Sequence, residues 1–124
     1  MANDPENAAV LTELRRGPRF DIWLVETETL VWLIFRAHLP RECGIVRDVE
    51  RSLYWSRPVS EPEALSADEL AEELAQRLQR CLTDYRTYSH DLQYFPKGWQ
   101  FWGMGTPEPF DPYRRLLPPR HWHG

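Results

Sequence analysis

The stretch RFDIWLVETETLVWLIFRAHL, residues 19–39, decides the fold of this chain. It contains two runs rich in β-branched and aromatic residues, and the polar residues ETET separate them. In the first run Phe20, Ile22 and Leu24 alternate with other residues, as expected for one face of a strand. The stretch therefore predicts a β-hairpin at about residues 19–39.

The second run of the hairpin is apolar at both odd and even positions. A strand that is apolar on both faces is usually central in its sheet and covered on both sides. A single helix over residues 29–39 remains an alternative, because short apolar runs are ambiguous between the two structures. As a strand, one face would carry Leu30, Trp32 and Ile34, and the other would carry Val31, Leu33 and Phe35.

The residues before the hairpin have the pattern of a short helix. Asp4 can cap its N-terminus, and Gly17 can end it. Leu11 and Leu14 lie three positions apart and share a helical face with Ala8. We expect an N-terminal helix over about residues 4–17 at one edge of the sheet.

Residues 45–55, IVRDVERSLYW, fit both a helix and a strand. As a helix, Ile45, Val49 and Leu53 would recur on one face. As a strand, the same face would also carry Arg47 and Arg51, which places charge on a core face. The pattern slightly favours a helix.

The clearest element of the sequence is a helix over about residues 67–88. Ser66 and Glu69 have the spacing of a capping box at its start. Acidic residues crowd its first turns and arginines its later turns, which complements the helix dipole. Its apolar stripe, which predicts packing against the sheet, consists of Leu70, Ala71, Leu74, Leu78, Cys81, Leu82 and Tyr85.

The C-terminal third is rich in proline and aromatic residues and shows no helical stripe. GWQFWG, residues 98–103, can form a short strand with Trp99 and Phe101 on one side. Beyond it we expect an extended, proline-rich arm. The sequence thus predicts a small α+β protein with one domain over residues 1–105 and an extended C-terminal arm over residues 106–124.

The composition predicts a cytoplasmic protein. The 124-residue chain is 42% hydrophobic and has only two cysteines, so it can form one core without a disulfide framework. Its first ten residues lack the regions of a signal peptide, and its longest uncharged apolar run, residues 29–35, is far shorter than the ~18 residues of a membrane span. Lys97 is the only lysine among 15 basic residues, which indicates a GC-rich, bacterial genome.

A metal site at the C-terminus is the first candidate for chemistry. In an extended chain His121 and His123 point to the same side and could reach one metal ion. His90 and Asp91 are the nearest further ligands in sequence, but paired Cys or His motifs are missing. We therefore predict no metal and no cofactor.

Nucleophilic catalysis is the second candidate. Cys43 lies between Arg41 and Arg47, whose charge can lower a thiol pKa, and His38 could serve as its base. An ordinary thiol at a turn is the commoner interpretation of this arrangement. Cys81 lies on the apolar stripe and is predicted to be buried, so we assign no catalytic residue.

Nucleic acid is an unlikely partner. The net charge is -4 at pH 7, whereas phosphate binding needs a surplus of basic residues. The C-terminal PYRRLLPPRHWHG is locally basic and aromatic, which leaves base stacking as a minor alternative. The same net charge is too small for an acidic protein that mimics nucleic acid.

The leading hypothesis is a non-enzymatic protein-interaction module, an accessory or adaptor subunit or a small inhibitor. Trp, Tyr and Arg dominate protein–protein hot spots, and proline lowers the entropy cost of docking an extended arm. The partner would be another protein, and a homo-oligomer is left open. The arm can equally pack on its own domain. The predicted contact residues are Trp99, Trp102, Phe110, Tyr113, Arg114, Arg115 and Trp122.

The alternative hypothesis is a small enzyme or ligand-binding protein. Its pocket would be lined by aromatic side chains, with Arg36, His38 and His90 as polar groups.

Overall fold

The molecule is built on one antiparallel sheet whose five strands follow the chain order. The computed structural model describes residues 8–18, 20–39, 49–61 and 65–119. Each strand pairs with the next one along the chain, in the order β1-β2-β3-β4-β5. The strands are β1 (Val10–Arg16), β2 (Phe20–Glu26), β3 (Leu30–Leu39), β4 (Val49–Pro58) and β5 (Gln100–Met104).

The predicted hairpin is confirmed as β2 and β3. The two strands pair from Phe20 and Ala37 at one end to Glu26 and Val31 at the other. Thr27 closes the turn, since its backbone N–H and its hydroxyl both donate to the carbonyl oxygen of Leu30, at 2.9 and 2.8 Å. β3 is the central strand and is buried on both faces, as its two-sided apolar pattern predicts.

Two α-helices and a 3-10 helix lie between β4 and β5. α1 spans Ala67–Thr83 and α2 spans Tyr85–Tyr88, and a 3-10 helix follows over Ser89–Tyr94. The predicted cap at Ser66 is confirmed, because its hydroxyl oxygen accepts a hydrogen bond from the backbone N–H of Glu69 at 3.2 Å. The helix is shorter than predicted, since Asp84 leaves the helical conformation. No helix in the described part of the chain is both long and apolar enough to cross a membrane.

Two hydrophobic cores lie on opposite faces of the sheet. The first lies between the sheet and α1, and it contains the stripe residues Leu70, Leu74 and Leu78 together with Leu33 and Trp55 of the sheet. The second lies on the other face and contains residues of β2, β3 and β4 together with one residue of the C-terminal segment. Its buried members are Trp23, Val25, Trp32, Ile34, Tyr54 and Phe110.

The prediction of an N-terminal helix is wrong for the described residues, because Val10–Arg16 forms the edge strand β1. Leu11 packs against the second core and Leu14 against the first. Two strand residues three positions apart point to opposite faces of the sheet, so this spacing reflects a strand that contacts both cores. A β-bulge between Glu13 and Arg15 adjusts the register at this point. Residues 4–7 of the predicted helix lie outside the described residues.

The preference for a helix over residues 45–55 is also wrong where the structure describes it. Val49–Pro58 forms β4 and pairs with β3 along its whole length. Leu53 and Trp55 enter the core under α1, whereas Tyr54 enters the core on the opposite face. This segment forms a strand because its side chains are buried on both faces of the sheet. Tertiary packing of this kind overrides a weak helical pattern. Residues 45–48 lie outside the described residues.

The C-terminal segment is not extended over its whole described length. Glu108–Leu116 forms a 3-10 helix. We call residues 106–118 the C-terminal strap, because the segment lies over the second core with the Phe110 side chain fully buried there.

Candidate functional site

Two surface features formed by the C-terminal third are candidates for binding, and they lie on opposite faces of the sheet. Trp99 and Phe101 pack against the core under α1, which confirms that they share a side. Trp102 lies on the other face, where its ring is 5.8 Å from that of Trp32. The predicted contact residues therefore do not form one continuous site.

The first feature is an aromatic surface beside the strap. Trp102 is 37% exposed, yet its indole N–H donates a 2.8 Å hydrogen bond to the Ser56 hydroxyl. The ring of Trp32 contacts both Trp102 and Phe110, with centroids 5.8 and 5.3 Å apart. Trp32 thereby links Trp102 to the strap, and Trp102 is held in place while part of its ring faces solvent.

The strap also carries exposed arginine side chains. Tyr113 is half-buried, with its ring centroid 6.1 Å from that of Phe110. Arg114 and Arg115 follow on the same 3-10 helix and are exposed. A single ion pair at 3.8 Å connects Arg114 to Asp111, and both of its partners are exposed. We call Trp102, Tyr113, Arg114 and Arg115 the Trp102 surface.

A buried ion pair fastens the strap to the sheet. Arg36 donates two hydrogen bonds to the fully buried Asp21 carboxylate, at 2.9 and 2.7 Å. The third guanidinium nitrogen, Nη1, donates to the carbonyl oxygen of Pro118 at 2.7 Å. The guanidinium also lies 5.9 Å from the ring centroid of Trp23. Arg36 is thus engaged in holding the strap in place, which removes it from the pocket that the sequence suggested.

The second feature is a cleft between α1 and the segment that precedes β5. It has a volume of about 370 Å³, and three aromatic side chains, Tyr94, Phe95 and Trp99, form its walls. Its charged lining residues are Arg77, Asp91 and Lys97. We call it the Trp99 cleft.

The remaining predicted site residues divide between the core and the undescribed ends. Phe110 is fully buried, so it supports the fold from inside and offers no surface to a partner. His90 is exposed and shares a 2.9 Å hydrogen bond with Gln93, outside the Trp99 cleft. Trp122 lies outside the described residues, and so does the side chain of His38.

The described residues contain no group of three or more His, Cys, Asp or Glu side chains that could hold a metal ion. His121 and His123 lie outside them, as does Cys43. Cys81 is buried in the core under α1, as its place on the apolar stripe predicts.

Two exposed carboxylates have a pKa below its ordinary value. A 2.8 Å hydrogen bond from Arg15 lowers the pKa of Glu72, and Gln76 adds a second bond. The hydroxyl and backbone N–H of Thr87 lower the pKa of Asp84 in the same way. A carboxyl group that acts as a general acid near neutral pH needs a raised pKa, and the pKa of each of these two groups is lowered. Neither group is therefore suited to that role.

The chain matches no protein-family model, and neither curated proteins nor solved structures contain a significant match to it.

Proposed function

We propose that this protein is a non-enzymatic interaction module, an accessory or adaptor subunit or a small inhibitor, that binds another protein through the Trp102 surface. The observation that supports the proposal is the state of Trp102, which is exposed over 37% of its surface and fixed by the Ser56 hydrogen bond. Trp is among the residues that contribute most to protein–protein affinity. A Trp that is already ordered loses little further freedom when a partner covers it.

The neighbouring arginines extend the proposed contact. Arg114 and Arg115 project from a strap that Phe110 and the Arg36–Pro118 hydrogen bond anchor to the sheet. Guanidinium groups form paired hydrogen bonds with carboxylates, so a partner with acidic residues around an apolar pocket would complement this surface. Trp99 and Phe110 are not part of the proposed contact. Trp99 lines the Trp99 cleft on the opposite face of the sheet, and Phe110 is fully buried.

The experiment begins with native mass spectrometry of the tagged protein purified gently from its source cells. We expect a second protein at fixed stoichiometry with the 14.8 kDa chain. The purified partner is then titrated against Trp102→Ala and against the double variant Arg114→Glu/Arg115→Glu. Each should raise the Kd at least about tenfold, as is usual for hot-spot residues.

Val10→Ser is the matched control. Val10 is 59% exposed and lies on β1, at the opposite edge of the sheet from β5. Its replacement should leave the Kd unchanged. A bare chain in the mass spectrum, or a partner that binds all three variants equally, would contradict the proposal.

The second candidate function is a ligand-binding protein, and the Trp99 cleft is the observation that favours it. Three aromatic walls with a few charged groups are typical of sites for small molecules. The Trp99 cleft and the Trp102 surface share no residue, so ligand binding and protein binding can be tested independently.

A further inference from the structure

The Trp99 cleft has the size and the walls of a site for one flat apolar group. Its volume of about 370 Å³ is at the lower end of the range for small-molecule pockets. Phe95 and Trp99 pack against the core under α1, so these walls are fixed by the fold. Tyr94 is 70% exposed and stands at the rim, with its ring 5.5 Å from that of His90.

Arg77 places a positive charge at the wall of this cleft. Its guanidinium lies over the ring of Phe95, 4.2 Å from the centroid. A cation over an aromatic ring is attracted by the negative face of the ring, so this contact holds the guanidinium and its N–H donors at the cleft.

One of these donors has no acceptor among the residues that the structure describes. The Arg77 Nε is buried and makes no hydrogen bond there. The carboxylate of Glu73 lies 3.9 Å from this nitrogen, which is too long for a hydrogen bond. A ligand cannot reach this buried nitrogen, but the Arg77 side chain as a whole is 39% exposed, so its other guanidinium nitrogens can donate to an acceptor in the cleft.

The charges around the cleft favour an anionic acceptor. Arg77 and Lys97 contribute two positive charges to the lining, and Asp91 contributes one negative charge. Just outside the lining, Glu73 adds a negative charge 3.9 Å from the Arg77 Nε, and Arg57 adds a positive charge 5.2 Å from the ring centroid of Trp99. The chain as a whole has a net charge of -4. A cleft with a local positive excess on an acidic protein attracts a small anion to that place.

We propose that the Trp99 cleft binds a carboxylate carried on an aromatic or similarly flat apolar group. The flat group lies between Tyr94 and Trp99, and the carboxylate accepts hydrogen bonds from the guanidinium of Arg77, with Lys97 adding charge. None of these residues belongs to the Trp102 surface. The proposal therefore stands whether or not that surface binds a protein.

The test compares N-acetyl-phenylalanine with N-acetyl-phenylalanine amide, which has the same ring and no carboxylate. Binding is followed through the indole N–H signal of Trp99 in NMR spectra of the full chain. A ligand of about 15 non-hydrogen atoms is expected to bind with a Kd of the order of 1 mM. The acid should bind about tenfold more tightly than the amide, because a hydrogen-bonded ion pair is lost with the carboxylate.

Variants separate the carboxylate contact from the aromatic contact. Arg77→Met keeps much of the side-chain length and should abolish the preference for the acid. Asp91→Asn should strengthen binding of the acid, because it removes a negative charge from the lining of the cleft. Arg86→Met, at an exposed position of α2, is the matched control and should leave the preference unchanged.

Lys97→Met is a second variant for the case in which Arg77→Met fails to fold, because Lys97 is exposed and its replacement should not affect folding. It should reduce the preference for the acid over the amide about threefold. Equal affinity for the acid and the amide, or no shift of the Trp99 signal with either, would overturn the proposal. So would a preference that both Arg77→Met and Lys97→Met retain.

A third probe identifies the source of the carboxylate. N-acetyl-Gly-Gly-Phe carries the same terminal group at the end of a short chain. Tighter binding of this peptide than of N-acetyl-phenylalanine supports the proposal with the C-terminal end of a polypeptide as ligand. Equal or weaker binding supports it with a free small acid as ligand.

Discussion

Asp21 and Arg36 form the ion pair that connects the strap to the sheet. Asp21 is fully buried and Arg36 nearly so, and their two hydrogen bonds are 2.9 and 2.7 Å long. Neither residue shows its role in the sequence, where Asp21 simply follows Phe20 at the start of an apolar run. Arg36 was predicted as a pocket residue because nothing in the sequence reveals that Asp21 lies beside it. Only the hairpin register brings the two into a cross-strand pair.

Loss of one member of this pair should be strongly destabilising. Asp21→Asn leaves the guanidinium of Arg36 buried without a counter-charge, and such changes typically cost about 3–5 kcal/mol of unfolding free energy. Urea unfolding monitored by tryptophan fluorescence measures the change. The double variant Asp21→Asn/Arg36→Met should lose less than the two single variants together, because it leaves no unpaired charge. Strict additivity of the single losses would contradict the assigned coupling.

At the scale of elements, the sequence predicted α1 and the hairpin. α1 has a capping serine and leucines in one stripe. The hairpin has alternation on β2 and a polar break before β3, although the β3 run alone also allowed a helix. β1 and β4 were missed for a shared reason. Each places apolar residues on both faces of a sheet with two cores, and spacings of three or four residues then resemble a helix. The second core itself was not visible, because part of it comes from the C-terminal strap.

The core assignment of α1 predicts the effect of truncating its stripe. Leu74 is fully buried between α1 and the sheet, so Leu74→Ala should lower the unfolding free energy by about 2–5 kcal/mol. Guanidinium titration of the two proteins measures the difference. Gln76→Ala, on the exposed side of the same helix, is the control and should change stability by less than about 0.5 kcal/mol. A loss below 1 kcal/mol for Leu74→Ala would place this residue outside the core.

At the scale of the whole molecule, the described residues form one sheet with a different cover on each face. α1 covers one face, and the strap covers the other with Phe110, while the Pro118 carbonyl oxygen accepts a hydrogen bond from Arg36. The aromatic richness of the C-terminal third indicated that these residues contact something, but it did not distinguish the chain's own sheet from a partner. The structure buries one of these aromatic residues completely and leaves another part-exposed. Phe110 completes the core, whereas Trp102 remains part-exposed beside it.

This division changes the expected effect of removing the C-terminal segment. If residues 106–124 were an extended arm outside a domain of residues 1–105, their loss would leave the fold intact. With Phe110 packed on Trp32 and Tyr54, the same deletion should uncover the second core. Point substitutions on the Trp102 surface are therefore the cleaner probe of binding, and a substitution at Phe110 is the cleaner probe of the fold.

The most direct test of this account is the stability of Phe110→Ala in urea unfolding, compared with that of Arg115→Ala on the same 3-10 helix. Because Phe110 is fully buried among Trp32 and Tyr54, its truncation should lower the unfolding free energy by about 3–5 kcal/mol. The exposed Arg115 should contribute less than about 0.5 kcal/mol. If both variants unfold like the wild-type protein, the strap does not cover the sheet, and the second core described here is wrong.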